Sequence, residues 1–181
     1  MVYDIFSRLA KDNILFLQGE ITTEESNSLA AALLFLGSQA SKSPPSIYIN
    51  SPGGLITSGL FTIYDTMQYL KTKVKTVCIG EALSAASIIL AAGSKGMRLA
   101  FPNATIMLHN LGAGVHGFSH EIEKNSERFK KLNERVVQLY VKHTGQKEST
   151  IRGVMKEETY FTAEEALKFG LIDKIVEPKS F

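Results

Sequence analysis

Two side chains in this sequence could share a proton in a nucleophilic reaction. Ser84 lies in Gly80-Glu81-Ala82-Leu83-Ser84-Ala85-Ala86, and His109 closes Met107-Leu108-His109. A serine hydroxyl attacks a carbonyl effectively only when a base takes its proton and donors hold the charge that develops on the oxygen. Ser51-Pro52-Gly53-Gly54 offers such donors, because two successive glycines let backbone N–H groups approach a ligand closely. Each residue also has a plainer reading. A serine opening a helix is a common N-cap, a histidine after an apolar strand can be a hydrogen-bonded core residue, and a glycine pair can serve a turn alone. Small residues at Gly80, Ala82 and Ala86 bracket Ser84 and leave room for a tight turn that exposes the hydroxyl, although Gly-x-Ser-x-Gly itself is absent. The apolar helix that follows would aim its N-terminus at the reaction centre.

The other histidines read as structural. His143 falls in the last turn of a long helix, where a cation suits the dipole, and His116 and His120 sit in a glycine-rich loop and the helix start after it. No pair of histidines has helical ligand spacing with a matching third ligand, so no metal site is expected.

The elements that must position these residues alternate between strand and helix. Ile14–Leu17 reads as a first strand, and Thr22-x-x-Glu25 as a capping box for a helix with Leu29, Ala32, Leu33 and Leu36 on one face and Gly37 as its stop. Strands follow at Ile47–Ile49 and Val74–Ile79, with a helix from about Thr57 to Leu70 between them. Ser84 then opens a short helix to Ala92 that is apolar all round, and such a helix is buried. Strands at Met97–Ala100 and Thr105–Leu108 precede the stretch marked by Gly112, Gly114 and Gly117. A long helix, Ser119 to His143, carries an apolar stripe of Ile122, Phe129, Leu132, Val136, Leu139, Tyr140 and His143. It is long enough for part of it to project towards another subunit. A helix at Glu148–Met155, a strand at Thr159–Phe161, a helix at Ala163–Phe169 and a strand at Ile172–Val176 complete the chain. The pattern predicts one α/β domain over residues 1–181 with a largely parallel sheet.

Composition excludes several classes. The 181 residues carry a net charge of +2, too little to point to nucleic acid, and 44% hydrophobic with 21% charged residues is ordinary for a globular chain. Cys78 is the only cysteine, so no internal disulfide can form and a reducing compartment is expected. No apolar run has the length of a membrane span, and the start resembles no signal peptide; cytoplasm or an organelle interior is the expected location.

Taken together, these segments resemble the ClpP family of self-compartmentalised serine peptidases. The matching stretches are Tyr3 to Leu9, Tyr48 to Gly54, Ile63 to Gln68, Gly80 to Ser84, Pro102-Asn103 with Met107 to His109, His143 to Gln146, and Ala163 to Ala166 with Gly170 to Asp173. The resemblance implies a crotonase-like fold of repeated β-α-β units with a protruding handle at about residues 110–143. It implies seven-membered rings, usually two stacked, fed by a hexameric Clp-type AAA+ ATPase, and no cofactor, since ATP belongs to that partner. By matching positions, Ser84 is the nucleophile, His109 the general base, and the backbone N–H groups of Gly54 and Ala85 the oxyanion hole.

Departures accompany the matches. Glu158 stands where the family's third triad member is usually Asp; some serine hydrolases use Glu there. Lys156-Glu157 replaces a segment that often carries an Arg used between rings, Asn110-Leu111 replaces Gln-Pro, and the chain is one residue longer between Gly54 and Tyr64. The sequence opens almost at the Tyr-Asp-Ile segment, so a short axial loop is expected. The expected activity is serine endopeptidase on peptides or threaded proteins. The alternatives are a weakly active or inactive, ClpR-like structural subunit of a ring shared with a second ClpP paralogue, and a crotonase-type acyl-CoA enzyme, against which the Ser84 and His109 pair argues.

Overall fold

A computed structural model describes residues 4–39, 43–112 and 118–177. Gly114, His116, Gly117 and Tyr3, singled out above, lie outside the described residues. Chain order is α1 (Ile5–Ala10), β1 (Ile14–Ile21), α2 (Thr23–Ser38), β2 (Ser46–Gly54), α3 (Phe61–Tyr69), β3 (Lys75–Leu83), α4 (Ala85–Ala91), β4 (Arg98–Ala100), β5 (Thr105–Leu108), α5 (Ser119–Thr144), α6 (Glu148–Met155), β6 (Thr159–Thr162), α7 (Ala163–Phe169) and β7 (Lys174–Ile175). The alternation gives the expected α/β architecture. Its α1 was not anticipated: Asp4 caps it by accepting the Phe6 and Ser7 N–H groups, and none of its residues is buried, so it carries no apolar periodicity to read.

Local signals explain most boundaries. Thr22 accepts the Glu25 N–H at the start of α2, which buries Leu29, Ala30, Leu33 and Leu36; Ala32, expected on that face, is only partly buried. The helix passes through Gly37 to Ser38 instead of stopping there. The segment before Tyr64 that reads one residue long is wound as a π-helical turn, Ile56–Leu60, before α3 begins. A π turn absorbs one extra residue without breaking the helix that follows.

The sheet has seven strands in the order β1-β2-β3-β4-β7, all parallel, with β5 on β3 and β6 antiparallel to β5. Strand β3 decides the site. Its first half, Thr76–Cys78, pairs with β4, and its last residues, Glu81–Leu83, pair with β5. One long strand therefore serves two neighbours on the same side. Its end also reaches further than the six residues read from the sequence.

The core surrounds α4, every residue of which is buried. In α5, by contrast, only Val136, Val137 and Tyr140 are buried, while Ile122 near its start is 42% exposed. The apolar stripe read along the whole helix is thus covered only in its last third.

Arg98, among the largest fully buried side chains, ties these layers together. It forks onto the Asp173 carboxylate at 2.7 and 2.9 Å, and its Nη1 donates to the Ala91 and His143 carbonyls at 3.3 and 2.8 Å. Those carbonyls sit at the C-terminal ends of α4 and α5, where a cation is favoured. Burial alone would raise the pKa of Asp173, but the Arg98 hydrogen bonds and charge and the Gly96 N–H outweigh it and hold the carboxyl below its usual range. His143, expected to bring charge to the end of α5, does not. Burial, followed by the charges of Lys142 and Arg98, pushes its pKa down to about 4, and its Nε2 pairs with the Tyr64 hydroxyl at 3.0 Å.

Two predictions follow from this arrangement. Asp173→Ala leaves a buried guanidinium uncompensated and destabilises the fold by about 3–5 kcal/mol, measured by urea unfolding. His143 takes up a proton on unfolding at any pH between its folded value near 4 and its unfolded value near 6.5. Its contribution to stability is therefore complete above pH 6.5 and lost as pH falls towards 4. Unfolding midpoints measured across that range should fall less steeply in His143→Gln.

Candidate active site

Ser84 follows β3 and caps α4 with φ 53° and ψ −122°, one of two non-glycine residues at positive φ among those described. Such a conformation costs about 1–3 kcal/mol in a residue with a Cβ and persists only where the surroundings impose it. They do so on several sides. The Ser84 N–H donates to the Met107 carbonyl at 2.9 Å, extending the β3–β5 ladder by one bond. Its carbonyl accepts from the Ser87 N–H at 3.0 Å and from the Ser87 hydroxyl at 2.7 Å. The plain N-cap reading fails, since the Ser84 side chain accepts no helix N–H.

The hydroxyl meets an imidazole instead. His109 Nε2 lies 2.8 Å from Ser84 Oγ. The β3–β5 register, with Leu83 opposite Met107, brings the residue after one strand beside the residue that closes the other. Both side chains are partly buried.

The glycine turn closes the third side. Ser51 Oγ donates to the Gly19 carbonyl at 2.6 Å and accepts the Gly53 N–H at 3.1 Å, which bends β2 at its end. A Cβ on Gly53 would lie 2.7 Å from the Leu83 carbonyl oxygen, 2.9 Å from the Ser84 Cβ and 3.1 Å from the Ala85 nitrogen. The turn therefore packs directly on the backbone of Ser84, with Gly54 exposed beside it. Upstream, where the β2–β3 register shifts, the Asn50 side chain accepts the Glu81 N–H at 3.1 Å. Beyond Gly54 opens a cavity of about 380 Å³, lined in part by Leu55, Ile56, Asn125, Phe129 and Leu132.

Glu158 is placed but not engaged. The β5–β6 ladder pairs Leu108 with Thr159, so one step further His109 stands opposite Glu158. Yet the Glu158 carboxylate accepts the Tyr160 hydroxyl at 2.9 Å, and among the described residues no hydrogen bond joins it to His109. That contact raises the pKa of the Tyr160 phenol.

Sequence reasoning missed three contributors. Ser87 reads as one more small residue in an apolar helix, and Tyr140 as part of an apolar stripe; the structure bonds them to each other at 2.7 Å behind Ser84. Only a polar atom at two otherwise apolar positions hinted at this. Tyr160 carried no signal of its own.

Gly53→Ala forces a methyl into Leu83 and Ser84 at a residue with φ 94°. The folded variant should lose the Ser84–His109 hydrogen bond, seen as a changed His109 imidazole NMR signal, with a stability cost of about 1–3 kcal/mol.

Compared with known families, residues 1–179 match the family model described as Clp protease.

Proposed function

The chain belongs to the Clp protease family, and on that premise we propose that it is a serine endopeptidase whose nucleophile is Ser84 and whose general base is His109. The fold is the ClpP/crotonase-like α/β fold of that family. The observation that carries the proposal is the 2.8 Å contact between Ser84 Oγ and His109 Nε2, made by a serine held at positive φ.

In this reading His109, neutral at Nε2, accepts the Ser84 proton as Oγ attacks the scissile carbonyl. The tetrahedral oxyanion is held by the N–H groups of Gly54 and Ala85, the first on the exposed glycine turn and the second opening α4. His109 then hands the proton to the leaving amine, and water releases the acyl group by the same route. A peptide side chain enters the cavity beyond Gly54. No cofactor takes part in these steps.

Glu158 is the third member of the triad in this proposal, reached by turning its carboxylate from Tyr160 to the imidazole across the ladder. Its present bond to Tyr160 favours a second reading, a weakly active or structural subunit of a mixed ring, in which the turn does not occur. The family generally forms oligomeric rings that work with Clp ATPases. For this chain we propose a ring of seven copies, stacked in pairs or shared with a second paralogue, and a Clp-type AAA+ partner in the cytoplasm or an organelle interior. Among the described residues no helix is long and apolar enough to cross a membrane.

A fluorophosphonate probe read by intact mass tests the central reading. The wild-type protein should take one adduct per chain and Ser84→Ala none; an unmodified wild-type ring would leave the structural reading standing. Peptide cleavage should be lost in His109→Ala, and a rate within tenfold of wild type would remove it as the base. Tyr160→Phe frees Glu158 and should raise kcat several-fold, whereas Glu158→Gln should lower it by about 100-fold or more if the carboxylate orients the imidazole. A Glu158→Gln rate within twofold of wild type would mean that the dyad works alone.

A further inference from the structure

The two halves of the dyad come from adjoining strands, and the last ladder bond between them, from the Ser84 N–H to the Met107 carbonyl, stops two residues short of His109. Helix α5 touches both. Tyr140 is 1% exposed, and its hydroxyl lies 2.7 Å from Ser87 Oγ. The Ser87 hydroxyl also bonds the Ser84 carbonyl at 2.7 Å, so the Tyr140 phenol, the Ser87 hydroxyl and the Ser84 carbonyl form one connected set. The same phenol oxygen stands 3.4 Å from the Ser84 carbonyl. No buried side-chain polar atom among the described residues lacks a partner, so this set is complete.

Seven residues earlier, two helical turns back on the same face, Asn133 engages the other half. Its Oδ1 accepts the Leu111 N–H at 3.1 Å and its Nδ2 donates to Asn110 Oδ1 at 3.1 Å. Asn110 directly follows His109, and its own N–H is held by the Met155 carbonyl at 2.8 Å. The end of β5 is thereby anchored to α5 on one side and to α6 on the other.

We infer that Tyr140 and Asn133 are positioning residues for the hydrolytic reaction: spaced seven apart on α5, they hold the Ser84 turn and the His109 strand end to a single rigid rod and so set the nucleophile-to-base distance. Tyr140 acts through Ser87 on the backbone of Ser84, and Asn133 acts through Asn110 and Leu111 on the backbone of His109. Neither touches substrate. A helix is a suitable gauge because the axial separation of two of its residues is fixed by its pitch. A shift of one strand end relative to the other then needs two buried or partly buried hydrogen bonds to break. Misplacements of about 1 Å are costly to a reacting pair, which is why such a brace matters to rate more than to binding.

The inference rests on the serine-peptidase reading, and the test separates the two. Tyr140→Phe, Ser87→Ala, their combination and Asn133→Ala are compared with wild type, all rates being divided by the serines titrated with a fluorophosphonate, so that unfolded protein does not count. Tyr140→Phe and Asn133→Ala should each lower kcat and the acylation rate about 3- to 10-fold, the equivalent of one neutral hydrogen bond, with KM within twofold. Tyr140→Phe should cost nothing more in the Ser87→Ala background, because the connection through Ser87 is already cut. Rates within twofold of wild type in both single variants, losses confined to KM, or additive losses for Tyr140 and Ser87 would overturn the inference while leaving the peptidase intact. A wild-type protein that takes no adduct would overturn both.

Discussion

A serine at φ 53° is the constraint around which this molecule is arranged. Left to itself the residue would relax by about 1–3 kcal/mol into an ordinary conformation, and its hydroxyl would cap α4. Three separate elements prevent that: the ladder bond from β5 to its N–H, the Ser87 bonds to its carbonyl, and the glycine turn of β2 pressed on its Cβ. Two of them need a special residue. Gly53 is required because any side chain there would collide with Leu83 and Ser84, and Ser87 because its hydroxyl joins the Ser84 carbonyl to the buried Tyr140 phenol. The strain at one position thus explains sequence features at several others.

The braces are built mainly from buried polar groups rather than from apolar packing. Arg98 links Asp173 to the last turns of α4 and α5, and Tyr140 links α5 back to α4. Buried polar groups of this kind are costly unless fully paired, and when paired they specify one arrangement. The helix that bears Ser84's turn is therefore located at both ends, by Ser87 near its start and by Arg98 near its finish. His143, despite its place in a last helical turn, is driven neutral by burial and leaves the cationic role to Arg98.

Peptidase chemistry needs the imidazole oriented as well as near. The antiparallel pairing of β5 with β6 sets Glu158 across from His109, while the carboxylate is spent on Tyr160. The register fixes which residue can reach the base, and the side-chain rotamer fixes whether it does. The hydroxyl of Tyr160 holds the carboxylate in that arrangement.

Much of this was legible in the sequence. Strand and helix alternation, the capping box at Thr22, the all-apolar run after Ser84 and the glycine pair report local constraints, and local constraints are written in residue type and spacing. The resemblance carried by the segments around Ser84 and His109 pointed to the family in the same way, and the structure sets those two side chains 2.8 Å apart. What spacing could not reveal was anything set by packing between distant elements. The double pairing of β3, the hydrogen bonds joining Tyr140, Ser87 and Ser84, the Arg98 bridge and the choice of Glu158 between Tyr160 and His109 join residues up to 75 positions apart. In the sequence a buried tyrosine and a buried leucine look alike at a helix's apolar face. Only the tertiary structure, by denying the tyrosine hydroxyl access to water, decides that it must find a partner and which one it finds.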